Sequence, residues 1–426
     1  MFKKVPGTKD ILPDQTGLWQ DIEGTSRKIF SIYNYSEIRT PFIEETALFN
    51  RSLGESTEIV QKQMFIIKRD EDSYALRPEG TASIVRAYVE NSLDKTKGFV
   101  KFYYMGPMFR AERPQKGRLR QFNQIGCEAV GSYGPDIDVE VISLADALLK
   151  KYGIKDYTIA LNTLGCGQDK KALNDFLRAS LKDKLGSLCD DCKDRYDRNI
   201  LRILDCKNEA CRNIVSDLRI GHEHLCPDCK AHFDYVRQGL DILKVNYKIV
   251  PNLVRGLDYY NRTVFEIKHG GLGPQQDALG AGGRYDGLVK ELGGPEAGAI
   301  GFSFGFERLL LALENAAAVI PAKGAEKLIY VIPLGEAARK QSQVILSDLR
   351  DNASIPADTS VNYGGSSLKS AMRKADDLGA AFVIIIGDDE IRENCVTLKD
   401  MANKTQEKVP MGQLKEKLRI DQQKEN

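Results

Sequence analysis

Apolar residues recur at helical spacing across residues 19–33 (Ile22, Ile29, Phe30, Tyr33) and then give way to a short extended run at 36–43. Pro41 interrupts that run, and a proline inside a strand marks an edge or a bulge, so this segment is expected at a boundary, as a candidate to pair with a second subunit. Residues 63–68 and 74–77 predict two alternating strands around the acidic turn Asp70-Glu71-Asp72, and Pro78 to Thr81 open a helix at 82–91. Strand patterns follow at 102–105 and 121–125, an amphipathic helix at 139–151 and a strand at 157–162. From 167 to 247 the chain turns helical, charged and cysteine-bearing, as an inserted subdomain would. Strands return at 247–250, 263–268 and 298–306, where small residues alternate with large apolar ones, before a helix at 309–315.

Residues 316–326 are alanine-rich and contain Pro321 and Gly324, which predicts a linker. Past it, strands at 328–332, 360–362 and 381–386 alternate with helices at 335–351 and 366–378. That order implies a separate small α/β domain of parallel type, ending in a polar, frayed tail at 421–426. With 426 residues there is room for two or three cores. Hydrophobic residues at 42% and charged ones at 28% describe an ordinary soluble globular protein. A net charge of +1 means that a nucleic-acid partner would have to be met by local patches. The apolar runs are far below the ~20 residues of a membrane span, and the N-terminus carries no secretory pattern, so a cytoplasmic location is expected.

Candidate chemistry concentrates in residues 102–128, FYYMGPMFRAERPQKGRLRQFNQIGCE. Two strands flank a Pro/Gly turn that carries Arg110, Arg113, Lys116, Arg118 and Arg120. Guanidinium forks bind phosphate with direction, although a solvated basic hairpin has the same pattern. Glu79 and Thr81 are either helix-start residues or a carboxylate and hydroxyl presented to a substrate ammonium. Arg255-Gly256-Leu257-Asp258-Tyr259-Tyr260 puts a cation, a glycine and two aromatics in one turn, which would also suit a tyrosine-rich core turn. The run 278–283 lets backbone approach a ligand closely but is not a Walker A loop. Arg308 at a helix start is electrostatically misplaced unless an anion is shared there.

Of nine cysteines, six fall between 189 and 229. Cys189-x-x-Cys192 and Cys226-x-x-Cys229 have the internal spacing of a zinc ribbon, with His222, His224 and His232 close to the second pair. The gap between the pairs is longer than in the usual ribbon, so thiols without a metal are the preferred reading and structural zinc the alternative.

Taken together, these motifs closely resemble those of the histidyl-tRNA synthetase family of class II aminoacyl-tRNA synthetases, along almost the whole chain. VPGTKDILP resembles the family's N-terminal segment, the region around Pro41 motif 1, FYYMGPMFRAERPQKGRLRQF motif 2 and GAIGFSFGFERLLLAL motif 3. LVRGLDYYNRTVFE and GAGGRYDGL are similar to the two signatures peculiar to the histidine enzymes. The resemblance implies an α+β fold: a class II antiparallel sheet flanked by helices at residues 1–322, interrupted by a helical insertion at 167–247. It also implies a C-terminal α/β anticodon-binding domain at 326–419, with 420–426 left as tail. The implied reaction is the activation of L-histidine by ATP, with Mg2+, and its transfer to the 3′ end of tRNA(His) by a homodimer.

Carried over from the family's motifs, Arg110 is implied at the α-phosphate and substrate carboxylate, Glu112 near the adenine, Arg118 at the ATP phosphates and Arg308 stacked on ATP. Arg255 matches the family's distinctive arginine at the α-phosphate. Glu79, Gly80, Thr81 and Gln124 match the amino-group site, Glu128, Tyr259 and Tyr260 the imidazole site, and Arg113 and Gln115 the loop that meets the tRNA acceptor end. The resemblance neither requires nor excludes zinc. A catalytically silent relative, the regulatory subunit of ATP phosphoribosyltransferase in histidine biosynthesis, is the alternative; such proteins lack the C-terminal domain and usually lose motif residues that are present here. A tRNA-binding protein without adenylation activity would keep the basic loop without needing Arg255 or Glu128.

Overall fold

A helix over Pro13–Ile32 opens the fold, with Pro13 in its first turn, where a missing N–H costs nothing. It buries Ile22, Ile29 and Phe30 against the Pro135–Tyr152 helix, and the two helices lie under the main sheet. The second helix carries the signals of a well-terminated one. Pro135 stands at its start, Asp136 and Asp138 in the first turn, Lys150 and Lys151 in the last, and Gly153 caps it at φ 76°. The computed structural model describes residues 2–54, 57–115, 117–218, 220–273, 277–315, 328–352, 355–363 and 367–423. The linker expected at 316–326 lies outside them.

The chain divides into two compact units, Met1–Ile320 and Pro321–Asn426. In the first, eight strands form one sheet in the spatial order Ser36–Glu37, Val100–Phe109, Gln121–Val130, Ala299–Gly305, Ala278–Arg284, Asn261–His269, Tyr157–Thr163, Tyr247–Ile249. The inner six pair antiparallel, and the two edge strands join parallel. The expected α+β class II architecture is present. Ser36–Glu37 is an edge strand, as the Pro41 signal suggested, and Pro41 lies in the break before Ile43–Glu45. A small sheet of Ile43–Glu45, Asp72–Leu76 and Phe65–Arg69 stands apart from the large one.

Alternation along the strands sorts the two faces of the large sheet. Ile125, Cys127, Phe265, Ile267, Ile300, Phe302 and Phe304 pack on the helices. Their neighbours, among them Gln124, Gly126, Glu128, Glu266, Ala281, Gly301 and Ser303, take the other face. The glycine-rich run 278–283 lies in the Ala278–Arg284 strand. Gly280 and Gly282 stand opposite Phe304 and Phe302, where an added Cβ would come within 2.5 Å and 2.6 Å of those side chains.

Residues 167–247 are helical as expected, in four α-helices (Gly167–Leu181, Asp190–Arg198, Glu209–Asp217, Pro227–Ile242) and two 3-10 segments (Lys182–Ser187, Ile200–Asp205). They pack within the first unit rather than forming a unit of their own. In the second unit, Ile329–Pro333 pairs parallel with Ala357–Thr359 and Phe382–Ile386, while Cys395–Asp400 and Gln406–Pro410 add an antiparallel hairpin that the sequence reading missed. The strand expected at 360–362 is instead a 3-10 turn, Ser360–Tyr363, with the strand shifted to Ala357–Thr359. Helix Leu414–Gln423 enters the expected tail, and residues 424–426 lie outside the described ones.

Within the first unit, one buried ion pair binds the sheet to the Pro135–Tyr152 helix and the insertion. Arg284, fully buried on the glycine-rich strand, donates to Asp138 (2.6 and 3.0 Å) and Asp286 (2.9 Å) and to the carbonyls of Ser132 and Gly134. His232 of the last insertion helix also meets Asp138, at 3.2 Å. Burial alone would raise the Asp138 carboxyl, yet the His232 hydrogen bond and the Arg284 charge hold it below its usual range. Arg284→Ala is expected to cost about 3–5 kcal/mol, because it strands a buried carboxylate, whereas Tyr235→Phe at the surface should be nearly silent. Urea denaturation of the two variants checks this; equal midpoints would contradict it.

Candidate active site

The face of the sheet away from the helices carries a cavity of about 380 Å³. Among its lining residues are Glu79, Thr81, Arg110, Glu112, Arg118, Gln124, Glu128, Arg255, Tyr259, Tyr260 and Arg308, so eleven of the residues singled out from the sequence converge there. Three do not line it. Gly80 packs under the Tyr104 ring, where a Cβ would fall 2.5 Å from a ring carbon. Arg113 and Gln115 are exposed on the hairpin loop, where Gln115 and Arg118 exchange backbone hydrogen bonds of 2.9 and 3.0 Å. Lys116 lies outside the described residues.

Glu128 lies on the cavity floor, 1% exposed. Its Oε1 accepts from the Thr81 hydroxyl at 2.7 Å and its Oε2 from the Tyr285 hydroxyl at 2.5 Å. Burial pushes its carboxyl up to about 8, against the downward pull of those two donors. Gly301 faces it across the strand pair, and a Cβ there would sit 1.7 Å from Oε2, so only glycine admits the carboxylate. Glu79 is used differently: its carboxylate accepts the backbone N–H groups of Thr81 and Ala82 at 2.7 and 2.8 Å, capping the helix Thr81–Glu90 while lining the cavity. Glu79 and Thr81 therefore start a helix, as one reading of the sequence had it, and also line the pocket.

Positive charge is concentrated around the same space. Arg110, following the Val100–Phe109 strand, donates to the Pro78 carbonyl at 3.0 Å, and its guanidinium lies 5.2 Å from the centre of the Phe122 ring. Arg308 stands in the first turn of helix Phe306–Asn315 and donates to the carbonyls of Gly117 and Ala278. Its pKa is lowered by burial and then by the Arg118 and Arg110 guanidiniums, a direct sign that three cations share one region. Arg118 has only a loose ion pair with Glu112, at 3.7 Å. Arg255 binds Glu266 at 2.6 Å, and Glu266 also takes Lys268 at 3.2 Å. Nε of Arg255 and Oε1 of Gln124, on two residues that line the cavity, are buried without a hydrogen-bond partner.

Sequence reasoning passed over several contributors. Tyr285 sits inside GAGGRYDGL and Glu266 inside LVRGLDYYNRTVFE, so both lie in marked motifs whose pattern did not give their roles. Arg202, from the insertion, also lines the cavity and donates to the Gly256 carbonyl at 2.9 Å; no local pattern marks it. The cysteine reading is corrected. Cys189 and Cys192 gather with Cys206 and Cys211, whereas Cys226 and Cys229 gather with Cys166 and Asp169, so the two C-x-x-C pairs belong to different groups. Two of the three neighbouring histidines have other partners: His222 meets Asn162 at 2.9 Å and His232 meets Asp138. As for magnesium, the acids against these cations are Glu112 and Glu266, and both are already paired. They suit an ion carried in on a triphosphate, held mainly by phosphate oxygens and water, better than a protein cage.

An antiparallel sheet with a cationic hairpin over one face, an arginine-bearing helix beside it and a C-terminal mixed α/β unit define a class II aminoacyl-tRNA synthetase. A family model described as histidyl-tRNA synthetase matches residues 7–309, and one described as an anticodon binding domain matches 328–420. Histidine–tRNA ligase from Halothermothrix orenii is 44% identical over 420 residues, covering 98% of this chain and 99% of that one. The chain belongs to the histidyl-tRNA synthetase family. The ligase from Clostridioides difficile is 42% identical, with 98% and 99% covered. The structure of apo S. aureus histidyl-tRNA synthetase matches with a TM-score of 0.80 at 35% identity, covering 98% and 99%. A Bacillus halodurans structure described as an ATP phosphoribosyltransferase regulatory subunit/histidyl-tRNA synthetase shares the fold at 22% identity, with a TM-score of 0.65 and 91% and 98% covered.

Glu128 has a consequence for stability. Below about pH 4.5 its carboxyl is protonated both folded and unfolded; as pH rises the unfolded chain ionises first, so stability falls until about pH 8 and then levels. Glu128→Gln, which cannot ionise, should remove this component and gain stability relative to wild type as pH climbs through that window. Thermal melts at several pH values without substrate provide the check; parallel curves for the two proteins would refute it.

Proposed function

We infer that this chain is a histidine–tRNA ligase: it activates L-histidine with ATP to histidyl-adenylate and pyrophosphate, then transfers histidine to the 3′ end of tRNA(His). The observation that carries the reading is the convergence of Arg110, Arg118, Arg255 and Arg308 on one cavity whose floor is the buried carboxylate of Glu128. Full-length likeness to ligases, with the C-terminal unit included, favours this over a regulatory subunit of ATP phosphoribosyltransferase.

In the first step a carboxylate oxygen of histidine bonds to the α-phosphorus, the α–β bridging bond breaks, and pyrophosphate leaves with the electron pair. The nucleophile is already an anion, so no side chain has to act as general base; orientation and charge neutralisation carry the rate. Arg110 and Arg255 are assigned to the α-phosphate and the histidine carboxylate, Arg118 to the ATP phosphates, Arg308 to stacking on ATP, and Glu112 to the adenine. Magnesium supplies further charge neutralisation on the triphosphate when bound. Glu79, Thr81 and Gln124 are assigned to the amino group. Glu128, with Tyr259 and Tyr260, reads the imidazole: a carboxylate whose own partners are hydroxyl donors discriminates against side chains that cannot bond to it, by as much as ~10⁴-fold. In the second step the terminal ribose hydroxyl attacks the mixed anhydride carbonyl and AMP departs. The exposed Arg113 and Gln115 are assigned to the tRNA acceptor end, and the C-terminal unit to the anticodon.

The same reading makes the protein a cytoplasmic homodimer. No helix among the described residues is long and apolar enough to cross a membrane. Phe42, Ile43, Ile66 and Ile67, on and beside the small sheet that follows Pro41, expose apolar surface suited to a subunit contact.

Histidine-dependent exchange of labelled pyrophosphate into ATP tests the assignment. Wild type is expected to be active, and Arg255→Ala to lose about 10²- to 10³-fold in rate, as loss of one transition-state donor does. An inactive wild type would remove the enzyme reading, and a fully active Arg255→Ala would remove the role of that arginine. Light scattering should return the mass of two chains; a monomer at micromolar concentration would refute the dimer.

A further inference from the structure

We propose that the insertion binds two structural zinc ions, one held by Cys189, Cys192, Cys206 and Cys211 and one by Cys166, Asp169, Cys226 and Cys229. In each group the four ligand atoms lie within 4.8 Å of one another, and all nine cysteines are free thiols. Sγ of Cys189 and Sγ of Cys206 stand 3.8 Å apart. That is the edge of a tetrahedron built on metal–sulfur bonds of about 2.3 Å, which gives ~3.8 Å between sulfurs. With all four donor atoms of a group within 4.8 Å of one another, each set is too tight to enclose a multi-iron cluster and suits one ion.

Burial of hydrophobic thiols does not by itself produce this convergence. The first group draws its sulfurs from three separate stretches: the start of helix Asp190–Arg198, the end of the 3-10 segment Ile200–Asp205, and the first turn of helix Glu209–Asp217. Cys192 and Cys211 are fully inaccessible and Cys206 is 8% exposed, inside the apolar cluster of Leu188, Ile203 and Val215. The Cys189 N–H donates to the Cys211 sulfur at 3.3 Å, the kind of contact that supports a metal-bound thiolate.

The second group repeats the design. Cys226 and Cys229 occupy the cap and third positions of helix Pro227–Ile242, and Cys166 and Asp169 the same positions of helix Gly167–Leu181. Asp169 accepts the N–H of Cys166 at 3.1 Å and of Cys226 at 2.8 Å, so it fixes both capping cysteines while keeping lone pairs for an ion. A tetrahedral, thiolate-rich donor set selects zinc over magnesium or calcium. Deprotonation of the thiols on metal binding makes both sites pH-dependent and couples them to folding of the insertion.

The test is metal analysis of the full chain after incubation with excess zinc and desalting. Two zinc ions per chain are expected, with one retained in Cys206→Ser and one in Cys229→Ser. A wild type holding less than one ion overturns the proposal. A single ion that survives Cys229→Ser but not Cys206→Ser overturns the second site alone, and iron in place of zinc overturns the metal assignment. Should a serine variant fail to fold, cobalt-loaded wild type still decides. Tetrahedral thiolate bands support the sites, and their absence refutes them. Metal removal should also lower the melting temperature by roughly 10 °C.

Discussion

The active face depends on one steric constraint: the Glu128 carboxylate lies flat against the backbone of Gly301, where any side chain would stand 1.7 Å from its oxygen. Burying a carboxylate is costly unless its oxygens are satisfied, and here two hydroxyls from distant parts of the chain, Thr81 and Tyr285, do so. Thr81 can reach only because the helix it begins is capped by Glu79, and Tyr285 only because Arg284, next to it on the alternate face, is anchored to Asp138. The buried salt bridge on the helix side and the buried carboxylate on the substrate side thus fix the same strand from opposite directions. Period-two alternation is what lets a single strand serve both.

The arginines obey the opposite rule. Burial lowers the proton affinity of Arg110 and Arg308, and neighbouring guanidiniums, Arg118 beside both and Arg110 beside Arg308, lower it further, an arrangement that costs stability in the empty pocket and is relieved when a polyanion enters. Arg255 is the exception, because Glu266 holds it at 2.6 Å and Lys268 shares that carboxylate. Burial would raise Glu266, yet the Arg255 and Lys268 charges keep it low, so Arg255 is oriented before any phosphate arrives. Preorganisation of this kind is what electrostatic catalysis requires, since the donor spends nothing on reorganising as charge develops.

Much of this could be read from the chain because its signals are local. Period-two runs gave the central strands, the Pro135–Tyr152 helix announced both its ends, and the motif arginines sat at turns. What escaped was whatever depends on distant partners. Gly301 and Glu128 are 173 positions apart in sequence and face each other only through strand register. The hairpin Cys395–Asp400 and Gln406–Pro410 is exposed along one strand and carries weak alternation, so its pairing edge, not its composition, makes it a strand. The cysteines misled for the same reason: the two C-x-x-C spacings are properties of helix starts, and which pair meets which other ligand is set by how four helices pack.

That packing reaches the chemistry. The segment between Cys192 and Cys206 carries Asn199, which donates to Asp258 at 2.8 Å, and Arg202, which donates to the Gly256 carbonyl at 2.9 Å. Both contacts fall on the turn that bears Arg255, Tyr259 and Tyr260. Lys170, one turn from Cys166 on the neighbouring helix, reaches the carbonyls of Asp258 and Tyr260 at 3.3 and 2.9 Å. A short glycine-containing turn has little apolar surface to hold its own shape, so its geometry is borrowed from the insertion through these donors. The insertion is therefore not an appendage on the catalytic sheet: the arginine assigned to the reacting phosphate is aimed from one side by Glu266 on the sheet and from the other by helices that the cysteine groups tie together.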